Sequence, residues 1–368
     1  MTQGFVPPPY PYDRLDAFKG VASKFDGGVI DLSVGDPCDP PSAAVIAALS
    51  SSNLERGYPP SIGIEPLRAA VRSWMQRKFD IDIPLSQIAA AGGSKEYVVT
   101  TPQWMKLRTP SRDTVLFPAV SYPSYAMGAT LSGCRPVAVP MTPTGGLDLS
   151  KISADDAKRA LMIWMNSPSN PTGALDDMEA VVNWGRANDV PVFSDECYVE
   201  FTWQGKPTTA LQYGTQGVIA LHSLSKRSNL AGLRVAFYAG DADIVHYLKE
   251  VRKHAGLMVP GPAQAAGVVA LNDDDSVKVQ ADIYRRRLER TATVLSKWSG
   301  RNIELPAGGF YLWFDATDGW EFAERLATEG GALVSPGDFY GAGGSNNVRV
   351  AVVQPDDRIE LLAHRLGL

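Results

Sequence analysis

Six short apolar runs between residues 113 and 240 constrain the fold of this chain more than any other feature. They are "DTVLFP" (113–118), "RPVAVP" (135–140), "ALMIWM" (160–165), "VPVFSD" (190–195), "VIALHS" (218–223) and "VAFYAG" (235–240). Most are continuously hydrophobic rather than alternating, which suits strands covered on both faces. Helical patterns lie between and before them. In "ALDDMEAVVNWGRAND", Met178, Val181, Val182 and Trp184 fall near helical spacing, with Asp176 and Asp177 expected in the first turn, where the helix dipole favours acids. Upstream, "IEPLRAAVRSWMQRKF" sets Ile64, Leu67, Val71, Trp74 and Met75 on one stripe. Strands interleaved with helices predict an α/β fold, a mostly parallel central sheet sandwiched between helical layers.

After residue 255 the texture changes. "VPGPAQAAGVVAL" opens a helix, "YRRRLERTATVLSKW" is a long polar one, and "NIELPAGGFYLWFDA" and "SNNVRVAVV" are strand-like, which predicts a smaller α+β domain. The expected division is an N-terminal arm with part of the small domain over 1–40, a large domain over 41–255 and a small domain over 256–368. The proline-rich arm at 1–12 cannot build a core and is expected to lie along another surface. A net charge of -5 offers no footprint for nucleic acid, and the most basic run, "YRRRLER", contains an acid. Three distant cysteines without a CxxC pair point to a reducing compartment, and four scattered histidines have no metal-ligand spacing. No charged n-region precedes an apolar stretch at the start, and no run of about 18 apolar residues occurs. The expectation is a soluble, cytoplasmic protein with no membrane partner and no metal.

Ligands of open α/β sheets bind outside the carboxyl ends of the strands, so the loops there matter most. In "AAAGGSKE" (89–96), Gly92, Gly93 and Ser94 precede a helical pattern and would aim backbone N–H groups and a hydroxyl at an anion, although a plain glycine-rich helix start reads the same way. In "NSPSNPTG" (166–173), prolines and a glycine fix a turn that presents the amide of Asn170. The buried run "VPVFSDECY" (190–198) ends in Asp195 and Glu196, and a carboxylate there needs a partner: a protonated ring nitrogen, a helix end or an ion pair would each serve. In "LHSLSKRSNLAGLR" (221–234), Ser223, Ser225 and Arg234 could hold a phosphate dianion while Lys226 supplies an amine, where an ordinary lysine beyond a strand is a solvated loop residue. A phosphate cradle, a carboxylate for a pyridine nitrogen, donors for a phenolic oxygen and an amine for an aldehyde all fit pyridoxal 5'-phosphate.

At these motifs the chain resembles the fold-type I, class I/II aminotransferases, whose S-x-S-K and G-x-R signature stands here as Ser223-Leu224-Ser225-Lys226 and Gly232-Leu233-Arg234. The resemblance runs from "DLSVGDP" (31–37) to "NNVRVAV" (346–352). It implies that Lys226 carries the cofactor and shuttles the proton between the substrate α-carbon and the cofactor. It implies that Asp195 holds a proton on the pyridine nitrogen, and that Asn170 and Tyr198 bond the phenolic oxygen. Tyr122 would stack on the ring, and Gly93, Ser94, Lys95, Ser223, Ser225 and Arg234 would form the phosphate cup. Arg349 would take the substrate α-carboxylate, with Asn170 and the backbone of Gly35 beside it. Tyr58 in "RGYPPSIGIEPLR" resembles the tyrosine that reaches the neighbouring subunit's phosphate, which implies a homodimer. One departure is Val235-Ala236 after Arg234, where many relatives have a glycine.

The cluster "SLSKRSNLAGLR", with "GGSKE" and "SYPSYAMGA", looks most like the succinyldiaminopimelate aminotransferases, which implies N-succinyl-2-amino-6-oxopimelate as keto substrate and glutamate as donor. Lys95, Arg227 and Arg252 are the candidates to hold additional carboxylates. Aromatic, aspartate or alanine aminotransferases and the cysteine-conjugate β-lyases share the same cofactor motifs. The aminotransferase-like sensors of transcription regulators carry a DNA-binding winged helix first, whereas 30 residues precede "DLSVGDP" here.

Overall fold

The computed structural model of the chain describes residues 4–368, so the first three residues of the expected arm lie outside it. A two-residue strand, β1 (Ile30–Asp31), comes first. Seven strands then build the main sheet: β2 (Ile88–Ala91), β3 (Thr114–Pro118), β4 (Arg135–Val139), β5 (Ala160–Asn166), β6 (Val192–Asp195), β7 (Val218–Ser223) and β8 (Ala236–Gly240). Their spatial order is β2-β8-β7-β6-β5-β3-β4, and only β8 runs against its neighbours. All six expected runs are strands.

The unalternating hydrophobicity has a direct cause. In β5, Ala160, Ile163 and Met165 join one core, while Leu161, Met162 and Trp164 join a second on the opposite face. The helices Glu65–Phe79 and Met178–Ala187 cover the first face through Leu67, Val71, Trp74, Met75, Val181 and Val182. Helices Ser94–Arg108, Ser124–Leu131 and Ala242–His254 cover the second through Tyr97, Val98, Tyr125, Ala129, Val245 and Leu248. With both faces buried, a polar position anywhere in these strands needs a partner.

Three details differ from the sequence reading. β2 carries "IAAA", with one β-branched residue, and its small side chains give little strand signal. Asp177 is the N-cap of helix Met178–Ala187, accepting from the Ala180 N–H at 2.9 Å, and Asp176 lies before the helix rather than in its first turn. Helix Gly261–Leu271 buries Ala263, Ala266, Ala270 and Leu271 in the core of the large sheet, so packing puts it with the large unit, beyond the boundary expected at 255. Val235 is buried in that same core, where it faces Gly267.

The remaining strands are β9 (Tyr311–Asp315), β10 (Ala332–Leu333), β11 (Ser335–Pro336) and β12 (Asn347–Ala351). β12 lies between β11 and β9 in an antiparallel sheet, and β10 pairs with β1, tying the segment before residue 40 to the C-terminal unit. The long helix Asp274–Ser299 packs on this unit through Tyr284, Leu288, Ala292 and Leu295.

Candidate active site

The register of the main sheet brings the expected residues to one edge. Asn166 at the end of β5 pairs with Asp195 at the end of β6, while Ala91 of β2 and Ser223 of β7 both flank Ala236 of β8. The loops leaving β2, β5, β6 and β7, and the turn entering β8, therefore converge. They open on a cavity of about 330 Å³, near the lower end of the range for small-molecule pockets. Four cationic side chains line it, Lys95, Lys226, Arg234 and Arg349, against two carboxylates, Asp36 and Asp195, which favours an anionic ligand.

On one side sits an anion cradle. Gly93 has φ +92°, and a Cβ there would lie 2.0 Å from Arg234 Nη2, so glycine lets the guanidinium approach the start of helix Ser94–Arg108. Ser223 caps the short helix Leu224–Arg227: its Oγ accepts the Ser225 N–H at 3.1 Å and donates to Ser225 Oγ at 2.9 Å. Ser94, Ser225 and Arg234 reach the cavity directly, and Ser223 stands behind them.

Lys226 follows on that helix and lines the cavity, its Nζ donating to the carbonyl of Gly35. Burial lowers its pKa to about 8, with Asp36 opposing the shift. Gly35 must be glycine because a Cβ would fall 2.1 Å from Tyr311 Oη. Asp195 is buried, accepting from Tyr125 Oη at 2.9 Å and from the Cys197 N–H at 3.2 Å. Burial pushes its carboxyl up from the ordinary range, and no cation stands within ion-pair distance among the described residues. Asn166 fixes the surrounding backbone, donating to the Asp195 carbonyl at 2.8 Å and accepting from the Asn170 N–H at 2.7 Å.

Opposite lies Arg349, with 1% of its surface exposed. Its Nη1 donates to Asn170 Oδ1 at 2.9 Å, and its Nη2 donates to Tyr12 Oη at 3.2 Å and to the Ser33 carbonyl. Its Nε has no hydrogen-bond partner, and no carboxylate pairs with it among the described residues. The Tyr198 and Tyr311 hydroxyls meet at 2.9 Å beside it, and Tyr122 lines the wall towards Lys95.

Not every candidate is here. Tyr58 is 95% exposed and does not line this cavity. Arg227 is buried behind the lysine helix, bonded to Glu200 at 3.1 Å and to the Ala270 carbonyl at 2.9 Å. Arg252 is held by Glu96 at 2.9 and 2.7 Å. Both are committed to structural partners, so of the three extra donors only Lys95 faces the cavity, its Nζ 3.1 Å from Tyr10 Oη. The sequence reading missed Tyr10, Tyr12, Tyr125, Asn166 and Tyr311. Asn166 opens a motif already singled out and Tyr125 stands inside "SYPSYAMGA", so both were legible, whereas Tyr10, Tyr12 and Tyr311 have no local pattern to mark them.

The family described as Aminotransferase class I and II matches residues 27–366. A curated relative, the 4-dedimethylamino-4-oxo-anhydrotetracycline transaminase OxyQ of Streptomyces rimosus, is 37% identical over 98% of this chain and 99% of its own. An LL-diaminopimelate aminotransferase of Aquifex aeolicus is 35% identical over 98% of this chain and 96% of its own. Among solved structures, a probable N-succinyldiaminopimelate aminotransferase from Thermus thermophilus superposes with a TM-score of 0.86 at 28% identity, covering 96% of this chain and 98% of the other.

Proposed function

This chain belongs to the class I and II aminotransferases, which depend on pyridoxal phosphate, and on that premise we propose that it moves an amino group between glutamate and a multiply carboxylated keto acid of the diaminopimelate type. One observation carries the reading. The cavity has a buried carboxylate without a cation, Asp195, and a buried guanidinium without a carboxylate, Arg349, on different walls. Isolated buried charges are costly, so each wall asks for a ligand of opposite sign. A protonated pyridine nitrogen and a substrate carboxylate supply them, and the Gly93–Arg234 cradle accommodates the phosphate.

The cofactor, when bound, supplies an aldehyde to take up the substrate amine and an electron-accepting ring. The residues of this chain do the rest. Lys226, its pKa lowered by burial to about 8, would hold the cofactor through its amine and move the proton taken from the substrate α-carbon. Asp195 holds the proton on the ring nitrogen, and the hydroxyl of Tyr125 keeps that carboxylate in place. Asn170 gives its carbonyl oxygen to Arg349, which leaves its amide nitrogen, with the Tyr198 hydroxyl, for the phenolic oxygen. Arg349, aimed by Asn170 and Tyr12, clamps the α-carboxylate and excludes water from that end.

The substrate class follows from charge. Lys95 remains as a cation on the cavity wall once Arg234, Lys226 and Arg349 are engaged, and its hydroxyl partner Tyr10 does not neutralise it. The Aquifex relative and the Thermus structure, named for diaminopimelate-type substrates, support this choice, with N-succinyl-2-amino-6-oxopimelate as the finer candidate. The proposal includes a cytoplasmic homodimer, with the large and small units closing on the substrate and Tyr58 serving the neighbouring site. The test is a panel of keto acids with purified holoenzyme and glutamate as donor. Lys95 is exposed at the cavity wall, so pairing it with a distal carboxylate gains at most about 1 kcal/mol, roughly a fivefold preference. N-succinyl-2-amino-6-oxopimelate should therefore exceed the keto acids of phenylalanine, leucine and alanine in kcat/KM. Equal or better turnover of an aromatic or branched keto acid would overturn the substrate and leave the family untouched.

A further inference from the structure

Arg252 is one of the most deeply buried side chains of the molecule, 1% exposed, yet it touches no part of the cavity. It comes from helix Ala242–His254 and forks onto Glu96, Nη1 to Oε1 at 2.9 Å and Nη2 to Oε2 at 2.7 Å. Glu96 sits in the first turn of helix Ser94–Arg108, immediately after Ser94 and Lys95, and its Oε2 also accepts the N–H of Gly92 at 3.3 Å. Gly92 leads into Gly93, whose positive φ brings Arg234 against the helix start. One carboxylate thus joins a buried guanidinium to the turn that shapes the anion cradle.

We propose that Glu96 and Arg252 are a positioning pair for the cofactor phosphate, acting through geometry and through charge. The inference rests on the reading above that Gly93, Ser94 and Arg234 hold the phosphate. Geometrically, the Glu96 carboxylate pins the Gly92 N–H and with it the backbone path through Gly93. Arg252 holds that carboxylate in two-point contact, with its guanidinium 5.4 Å from the ring centroid of Tyr97 and 6.0 Å from that of Tyr238. Electrostatically, an unpaired carboxylate in the first turn of the helix that binds the phosphate would repel a dianion and cancel part of the attraction of the helix start. Arg252, itself 1% exposed, neutralises it from the buried side, while 23% of the Glu96 side chain stays open to water.

The two effects make opposite demands on a double variant, which separates positioning from mere packing. Dissociation constants for pyridoxal phosphate and for pyridoxal, which lacks the phosphate, are measured on apo protein by titration, with thermal melting of each variant alongside. Arg252→Met should weaken pyridoxal phosphate binding on the order of ten- to a hundredfold, the range found where outer residues orient ligand-holding groups, and leave pyridoxal unchanged. Removing the stranded acid as well, in Glu96→Gln/Arg252→Met, should recover much of that loss. Arg252→Lys, which keeps the charge and loses the fork, should fold where Met does not and fall between wild type and Arg252→Met. Equal losses for both ligands, or a double variant no better than the single one, would overturn the proposal and leave the pair a helix-packing contact. A wild-type protein that binds pyridoxal as tightly as pyridoxal phosphate would instead overturn the cradle itself.

Discussion

Lys226 shows how burial turns a common side chain into a usable amine. Its helix holds it against the Gly35 carbonyl with Phe310 nearby, and the loss of water disfavours the ammonium form. The same shift is a stability statement. The folded-state pKa of about 8 lies below the ordinary value of 10.5, so between those values the unfolded chain binds more protons and stability rises with pH. Below about pH 8 the cost of the buried charge is present in full. Apo Lys226→Met should therefore be more stable than apo wild type at pH 7, and the gap should shrink as pH climbs from about 8 towards 10.5. Urea melts at a series of pH values measure it, and a gap independent of pH would show that the lysine is solvated. Arg349 is the converse case, a cation whose pKa burial cannot lower into the working range, so the protein surrounds it with Asn170, Tyr12 and two aromatic faces instead.

Strand ends, rather than strands, carry the chemistry. β5, β6 and β7 run parallel and finish in Asn166, Asp195 and Ser223, while β2 finishes one residue before Gly92 on the far side of β8. A strand covered on both faces disfavours polar residues except towards the end of the ladder, and the strand-final positions are where Asn166, Asp195 and Ser223 stand. Gly93 is the tightest joint in this arrangement. Alanine at φ +92° and ψ 152° enters a region open essentially to glycine, at a cost of about 1–3 kcal/mol. Its Cβ would also displace Arg234. Gly93→Ala should lower pyridoxal phosphate affinity at least tenfold, the factor that corresponds to about 1.4 kcal/mol, and should lower the melting temperature of the apo protein as well. Unchanged affinity by fluorescence titration would show that Arg234 does not depend on this approach.

Across the whole molecule, the cavity is closed by chain segments remote in sequence. Tyr12 meets Tyr340 at 3.1 Å, Lys95 meets Tyr10, and Arg14 of the same arm pairs with Asp338 at 3.0 Å and lies 4.5 Å over the ring of Trp320. The arm thereby joins the C-terminal unit to the mouth of the site on the large one. Tyr58, in contrast, is left almost entirely in solvent, and the proposed homodimer would have the second subunit cover it. Mixing Lys226→Ala with Tyr58→Phe protein should create hybrid dimers with one doubly impaired site and one intact site, and activity should return on mixing. Hybrid dimers that form without regaining activity would show that each site is complete within its own subunit.

The sequence by itself determined the layered α/β fold, and it marked the motifs whose residues the fold gathers at one cavity, because both signals are local. A strand buried on both faces leaves an unbroken apolar run, and a loop that must hold phosphate or present an amine needs particular residues at fixed spacing. "NSPSNPTG", "VPVFSDECY" and "LHSLSKRSNLAGLR" were readable for that reason. Only the tertiary structure decided what charged residues without a local partner are for. Arg227 and Arg252 stood beside Lys95 as candidates, though only Lys95 lies in a motif that points at the site, and Glu200 and Glu96, which claim them, lie 27 and 156 residues away in the chain. Tyr12, Tyr125 and Tyr311 reach the site from separate elements, and helix Gly261–Leu271 joins the large core through alanines that carry almost no signal of where they pack. Burial and pairing are properties of the assembled chain, and a residue type fixes only what a side chain can do once it is placed.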